Sequence, residues 1–516
     1  MLADMRTSSH DSDHGRLRAI VAALAAGLPE AEIRETHISL VLLAGDTAYK
    51  FKKAVDFGFL DFGTLEKRAH FCAEEVRLNR RFAPGIYRDV VAVRGTPEAP
   101  AIDGEGEVLE YAVRMRRFAD GERLDALLAA GAVGRDDFVA LGATLAALHE
   151  AAPRAAADSA FGTPPVVAAQ ILASFEHLDA PALRADVAAR LAAAAPAFGA
   201  RRAAGRIREC HGDLHLSNIV RDGDTLRPFD CIEFNPGLSV IDTMSDTAFL
   251  VMDLDERGRA DLANACLNAY LEAGGDHAGL AMLRLYSAYR SVVRAKIAAL
   301  SLASATDGAA RADCGRRRDE HLALAARYLH VSEQPALVIT HGVSGSGKTW
   351  AARRLAERHG HIHLRADVER RRLAALRATE ASGSTLGGGL YSAGRTEAVY
   401  EHLLVLAGEI LAAGYSVIVD AGFLAARHRA KFTALTAARG VTCRILDCDA
   451  PTEVLRQRIE TRLAAGNDAS EATLEVLEHQ LATRDAFSTA ERAIAIDAER
   501  ALREGIPGCG RLATRS

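Results

Sequence analysis

Apolar residues near the start of the chain, Leu17, Val21, Leu24 and Leu28, recur every three or four positions and predict an amphipathic first helix. Asp11 and Asp13 stand ahead of the apolar stretch, which speaks for a helix and against a secretory leader. The period then drops to two. Ile38–Ala44, Gly45-Asp46 and Thr47–Lys52 read as a β-hairpin, and further strands are expected near Asp89–Val93 and Val108–Met115. After Gly121 the pattern is mostly helical, with an interruption around 211–235; the alanine-rich run Leu191–Ala200 is helix filler. The last third alternates. Short β-rich runs at Ala336–Thr340, His361–Leu364, Ser416–Asp420, Cys443–Asp447 and Ala493–Ile496 are separated by helical stretches, which implies a parallel sheet covered on both faces.

The sharpest change of pattern falls at Val331–Pro335. It divides the chain into residues 1–331, residues 335–500 and a tail at 501–516 that reads as loose. A small β-rich lobe followed by a larger helical lobe is the outline of a bilobal kinase, an α+β arrangement; the part after it is α/β. A length of 516 residues suits more than one domain. With 49% hydrophobic and 25% charged residues the composition excludes wholesale disorder or a fibre, and a formal net charge of −5 argues against a chain-wide polyanion-binding surface. No apolar run is long enough to span a membrane, and the eight cysteines contain no Cys-x-x-Cys pair, so a soluble cytoplasmic protein with reduced thiols is expected. Only seven of the 63 basic residues are lysine. Where lysine persists, a compact ammonium is required in place of a guanidinium fork. Four of the seven lie at 50, 52, 53 and 348.

Gly342, Val343, Ser344, Gly345, Ser346, Gly347, Lys348 and Thr349 satisfy G-x-x-x-x-G-K-[ST], between a β-run and the helical pattern Trp350–His359. The glycines let successive amides turn inward around phosphate oxygens, and the helix N-terminus adds partial positive charge. Lys348 is expected to reach the β/γ-phosphates and Thr349 to hold Mg²⁺. Asp420, at a strand end, suits the Mg²⁺ shell. Ala421 follows it in place of a water-activating glutamate, which favours transfer to a bound acceptor over hydrolysis. Asp367 is either the group that takes the acceptor's proton or a helix N-cap. Arg456, Arg458 and Arg462 share one predicted helix, and the last two share a face from which they would offset transition-state charge. This set resembles the P-loop small-molecule kinases, such as gluconate kinase, the polynucleotide 5′-kinases and zeta-type kinases.

His211-Gly-Asp213-Leu-His-Leu-Ser-Asn218 fits H-x-D-x-x-x-x-N, and Asp230 follows in Phe229-Asp230-Cys-Ile-Glu233-Phe-Asn235. The set resembles the aminoglycoside phosphotransferase group of protein-kinase-like enzymes. The whole chain resembles bacterial fusions of such a domain to a P-loop, AAA-type ATP-binding domain, called bifunctional aminoglycoside phosphotransferase/ATP-binding proteins. The resemblance implies that Asp213 orients the acceptor hydroxyl, that Asn218 and Asp230 hold Mg²⁺, and that His211 braces the loop; His215 is read as structural or as part of the substrate rim. Glu233, Asn235, Asp242 and Asp246 would buttress the loop or line the acceptor pocket. A lysine for the α/β-phosphates belongs on a strand of the small lobe. Lys50 is favoured, with Lys52 on the same face and Lys53 pointing away, and its carboxylate partner is Glu75 or, less favoured, Glu74.

Two features depart from protein kinases. No glycine-rich motif precedes Lys50, so phosphate cover falls to Glu35–Ser39 or the hairpin. Asp56-Phe-Gly58 and Asp61-Phe-Gly63 imitate the kinase magnesium motif but precede the catalytic loop, and they read as turns with buried phenylalanines. The expectation is an ATP- (or GTP-) and Mg²⁺-dependent kinase acting on a small-molecule hydroxyl, aminoglycoside-like, sugar or related, without membrane or nucleic-acid partners. The alternatives are a nucleotide-sensing protein and a C-terminal kinase of nucleic-acid 5′-hydroxyls, for which Arg365, Arg370, Arg371 and Arg372 supply charge.

Overall fold

The computed structural model describes residues 2–58, 60–305, 307–376, 392–465 and 473–509. They fall into two compact units, residues 1–137, 148–169 and 198–250 in the first and residues 138–147, 170–197 and 251–516 in the second.

The first unit is built on an antiparallel sheet of β1 (Glu32–Glu35), β2 (Ser39–Ala44), β3 (Thr47–Lys52), β4 (Tyr87–Thr96), β5 (Ala99–Ile102) and β6 (Val108–Arg116), in the order β1-β2-β3-β6-β4-β5. The hairpin forms as its pattern dictates: Ala44 pairs with Thr47, and Gly45, at φ 54°, takes the left-handed turn position. Alternation sorts the side chains. Leu40, Leu42 and Phe51 meet Leu17, Ile20, Val21 and Leu24 of helix α1 (Leu2–Ala26) on one face. Leu43 and Ala48 meet Cys72 and Val76 of helix α2 (Leu65–Phe82) on the other. The period-two rule puts Lys50 and Lys52 on the α2 side with Ala48. One ribbon flanks the 211–235 interruption and another lies within it: β7 (Ile207–Glu209) pairs with β10 (Val240–Asp242), and β8 (Ile219–Asp222) with β9 (Thr225–Pro228). These four strands, with β1 and β5, are too short to carry a periodic signal. Helices α3 (Arg135–Ala151) and α4 (Thr243–Glu256) contribute His149 and Asp246 to the same unit.

The imitation magnesium motifs are turns, since Gly58 N donates to Asp56 at 2.9 Å and Gly63 N to Asp61 at 2.9 Å. The expectation of buried phenylalanines holds for Phe62, which is fully enclosed. Phe57 corrects it: this ring is 51% exposed, because the turn carries it outward.

The second unit holds helices α5 (Ala260–Gly274), α6 (Leu280–Ser304) and α7 (Gly308–Leu329), and the sheet that follows them. Its strands β11 (Ala336–His341), β12 (Ile362–Arg365), β13 (Val417–Asp420), β14 (Thr442–Asp447) and β15 (Ala495–Asp497) are all parallel, in the order β12-β13-β11-β14-β15. Each lies within two residues of its expected position. Helices α8 (Lys348–His359), α9 (Ala366–Leu373), α10 (Ala393–Ala412), α11 (Ala426–Arg439), α12 (Thr452–Ala465) and α13 (Leu474–Thr483) accompany them. The expected loose tail needs correction at its beginning. Helix α14 (Ala498–Glu504) returns over α8, Ala501 and Ile506 are buried in the sheet's core, and Arg358 donates to the carbonyl of Leu502 at 2.6 Å. Two isolated apolar residues among charged ones gave no period to read.

Candidate active sites

In the first unit the catalytic loop runs from β7 to a 3₁₀ turn, Leu216–Asn218. Gly212 has φ 87°, and a Cβ there would lie 2.7 Å from the carbonyl oxygen of Leu238, so only glycine fits beside the histidine. His211 N and Gly212 N donate to the two oxygens of Asp246 at 3.0 and 2.9 Å, and His149 Nε2 reaches the same carboxylate at 3.1 Å. His211 Nε2 lies 2.8 Å from the carbonyl of Phe229, which only accepts, so this nitrogen carries the proton. Burial pulls the His211 pKa below its ordinary value, and the ring stays neutral. His211 is therefore a brace. Asp213 is 38% exposed, and its backbone carbonyl and Oδ2 accept from Asn218 Nδ2 at 3.1 and 3.0 Å. His215 Nε2 lies 3.3 Å from the same Oδ2.

Lys50, which is mostly buried, donates to Glu75 at 2.8 Å and is also paired with Asp230. Lys52 donates to the other Glu75 oxygen at 2.7 Å and is paired with Glu233. Both lysines thus share Glu75; Glu74 instead faces Arg77 at 2.8 Å, and Lys53 turns to Glu35 at 2.6 Å. Burial opposes charge on Glu75, but the ammoniums of Lys50 and Lys52 hold its carboxyl below the ordinary range. Asp230 has φ 61°, a strained angle for a residue with a Cβ. Its own amide donates to the Tyr87 hydroxyl at 3.0 Å and the next amide to Asn79 Oδ1 at 3.0 Å, which fix the turn. The Asp230 carboxylate remains 44% exposed. Of the other acidic and amide groups, Asp242 pairs with Arg201 at 2.6 Å and Asn235 caps a short helix by accepting from Gly237 N at 2.9 Å. His149, Tyr87 and Asn79 escaped the sequence reading, since each looks like an ordinary helix or strand residue. His149, Cys210 and Asp246 are close enough to suggest a metal cluster, but Asp246 already accepts two amides and a histidine, which makes it a structural post.

In the second unit the phosphate loop joins β11 to α8. Gly342, Gly345 and Gly347 have φ 144°, 82° and 89°. A Cβ on Gly342 would meet the carbonyl oxygen of Cys448 at 2.3 Å, and one on Gly345 that of Leu455 at 2.8 Å. Lys348 Nζ donates to the Val343 carbonyl at 2.7 Å, and Ser344 N to Gln480 at 2.7 Å. Asp420, buried at the end of β13, lies 3.2 Å from His363 Nε2. Burial opposes its charge, but the bonds from His363 and from Thr349 bring its pKa down to about 2. Asp367 sits in the first turn of α9; Arg365 occupies the N-cap, so the capping alternative is set aside. Arg458 donates to the Gly345 carbonyl at 3.2 Å, while Arg456 faces Glu478 at 3.5 Å. The side chain of Arg462 lies outside the described residues.

Both places suit a nucleotide carrying Mg²⁺. The front one offers an ammonium beside an exposed carboxylate and a carboxamide, hard oxygen donors of the kind Mg²⁺ takes. The rear one is a glycine-rich loop in which a Cβ on Gly342 or Gly345 would collide with neighbouring backbone, with a lysine and a threonine at its helix end. Residues 66–284 match the model of the phosphotransferase enzyme family and residues 337–487 that of an AAA domain. The molecule is thus a protein-kinase-like phosphotransferase domain joined to a P-loop kinase-like domain. More particularly, the chain belongs to the family of such two-part proteins that includes the uncharacterized proteins Rv2004c of Mycobacterium tuberculosis and Mb2027c of Mycobacterium bovis. Each is 34% identical over 477 residues, spanning 90% of this chain and 92% of the relative. Among solved structures, a choline/ethanolamine kinase family protein from Mesorhizobium loti aligns with 61% of this chain and 98% of its own, at 15% identity and a TM-score of 0.36. A gluconokinase from Sinorhizobium meliloti aligns with 34% of this chain and 93% of its own, at 20% identity and a TM-score of 0.25. Among the described residues no helix is long and apolar enough to cross a membrane.

Proposed function

We propose that the chain is a two-site cytoplasmic kinase, each site transferring the γ-phosphoryl of Mg·ATP or Mg·GTP to a hydroxyl of a small molecule. The observation that carries this reading is the Lys50 ammonium held between Glu75 and Asp230, groups 25 and 180 residues away in the chain. Such a junction is what a nucleotide needs: a cation for the α/β-phosphates beside a metal-binding carboxylate. Asp213 orients the acceptor hydroxyl and takes its proton as the acceptor oxygen bonds to the γ-phosphorus and the bond from that phosphorus to the β,γ-bridging oxygen breaks, releasing the nucleoside diphosphate; Asn218 holds the Asp213 side chain in place. Asn218 and Asp230 hold Mg²⁺ at the front. At the rear, the amides of 343–348 surround the phosphates and Lys348 swings from Val343 to the β/γ-phosphates. Thr349 and Asp420 hold Mg²⁺ there, Asp367 receives the acceptor's proton, and Arg458 with Arg462 offsets developing charge. Bound Mg²⁺ supplies the neutralisation of β- and γ-phosphate charge that permits transfer.

The acceptor is a compact alcohol, aminoglycoside-like, sugar or related. A nucleic-acid 5′-end is disfavoured because the arginines that would line its channel turn inward. Arg370 and Arg371 are buried, Arg365 pairs with Glu272 at 2.7 Å, and Arg372 is bonded to Glu369 and to the Glu272 carbonyl. Eight unlinked cysteines accord with a reducing compartment.

The test is transfer from labelled ATP to pools of metabolite alcohols, aminoglycosides and 5′-hydroxyl oligonucleotides, using wild type, Asp213→Ala and Lys348→Ala. Each substitution is expected to lower kcat for one acceptor by roughly 10²–10⁴-fold and leave the other acceptor's rate unchanged. Retained nucleotide binding with no transfer to any acceptor would replace this reading with nucleotide sensing.

A further inference from the structure

Strand β12 is an edge of the second unit's sheet, so its outward amides and carbonyls need partners from outside the sheet. Helix α5 supplies them. Asn264, Asn268 and Glu272 are spaced four apart and share one helical face; His361, His363 and Arg365 alternate along the strand. Asn268 Oδ1 accepts from His363 N at 2.7 Å, and its Nδ2 donates to the His361 carbonyl at 3.1 Å. Asn264 Nδ2 donates to that carbonyl at 3.2 Å. A strand's carbonyl at one residue and amide two residues later leave on the same side. One carboxamide therefore stands in for the peptide group of a missing neighbouring strand. Arg365 completes the stripe on Glu272 at 2.7 Å. From this anchored strand the His363 ring reaches Asp420, which also meets Thr349 of the phosphate loop.

We propose that α5 is a working part of the rear site, with Asn268 a positioning residue that sets the Asp420 carboxylate through β12 and His363. Helix α5 lies inside the segment that matches the phosphotransferase family, whereas β12 and Asp420 lie inside the AAA match. The second nucleotide site is thus finished by a helix of the first family's segment, and metal affinity at the rear depends on residues that a free-standing P-loop domain would lack. The inference rests on reading the rear cradle as a Mg·nucleotide site.

The chain provides its own reporter. Trp350, its single tryptophan, lies two residues beyond Lys348 and is 56% exposed. Full-length wild type, Asn268→Ala and Glu272→Ala are titrated with Mg²⁺ at fixed ATP, with Trp350 emission and equilibrium dialysis of labelled ATP read in parallel, and urea unfolding as the control for folding. Asn268→Ala is expected to raise the half-saturating Mg²⁺ concentration roughly tenfold. ATP binding in EDTA should change by less than about twofold, because the cradle amides and Lys348 are untouched. Glu272→Ala, at the end of the stripe, should shift Mg²⁺ dependence in the same direction by less. A folded Asn268→Ala protein with wild-type Mg²⁺ dependence overturns the proposal, and if that variant does not fold, an unshifted Glu272→Ala does so. A wild type whose Trp350 emission shows no Mg²⁺-dependent response to ATP removes the rear-site reading and this inference together, an outcome distinct from a responsive wild type matched by its variants.

Discussion

Glu75 shows how little of a buried site is negotiable. It is fully enclosed between two ammoniums, and each ammonium is tied in turn to a second carboxylate. Glu75, both lysines and Glu233 are taken out of water, which is tolerable only while each keeps its partners. Glu75→Ala is therefore expected to cost roughly 3–5 kcal/mol in urea unfolding, well beyond the effect of trimming a surface glutamate such as Glu74. The lysines at 50 and 52 were visible as exceptions in an arginine-rich chain, but their sharing of one glutamate was not. His361 makes the opposite case. The residue is 1% exposed, and neither ring nitrogen has a hydrogen-bond partner among the described residues. Burial, with nearby His359, lowers its pKa to about 3. The unfolded chain takes up a proton near pH 6.5 whereas the folded one refuses it until about pH 3, so the stability present above pH 6.5 is lost as the pH falls. Acidification from pH 7 to 5 should cost about 2 kcal/mol through this residue, and His361→Leu should flatten that part of the stability–pH profile measured by urea unfolding.

The phosphate loop owes its form to backbone that only glycine allows. Gly342 combines a positive φ with a carbonyl 2.3 Å from where a Cβ would sit, and that carbonyl belongs to buried Cys448, whose amide is bonded to the His341 carbonyl at 2.9 Å. Gly342→Ala is expected to abolish nucleotide-dependent change in Trp350 emission while leaving transfer at the Asp213 site intact. The loop was recognisable because its chemistry occupies consecutive positions. The catalytic loop was recognisable for the same reason, with Asp213 and Asn218 five residues apart. Asp246 of α4 was among the residues expected to buttress it, and it accepts from the loop's own amides; its partner His149 of α3, and Tyr87 of β4 and Asn79 of α2, which fix the Asp230 turn, were not recognisable. A supporting residue leaves a local signal only when the group it supports is near in sequence, and these are not.

The break in pattern at Val331–Pro335 separates the two family matches, yet packing groups α5, α6 and α7 with the parallel sheet that comes after the break. Besides the Asn268 stripe, Arg284 donates to the Gly414 carbonyl at 2.8 Å and its guanidinium covers the Tyr415 ring at 4.3 Å. A chain ended after His330 would leave these polar groups and their apolar surroundings without partners, and it is expected to melt at a lower temperature than full-length protein and to self-associate in sedimentation velocity. Periodicity and contiguous motifs, which depend only on near neighbours along the chain, determined by themselves the hairpin of β2 and β3, strands β4, β6 and β11 to β15, the phosphate loop and the catalytic loop. Tertiary structure alone decided that Lys50 meets Asp230, that His149 backs Asp246 beneath the catalytic loop, and that an asparagine of one segment completes the sheet edge of another. Each of those depends on side chains converging across separations of tens to hundreds of residues, where the pattern along the chain contains no trace of distance in space.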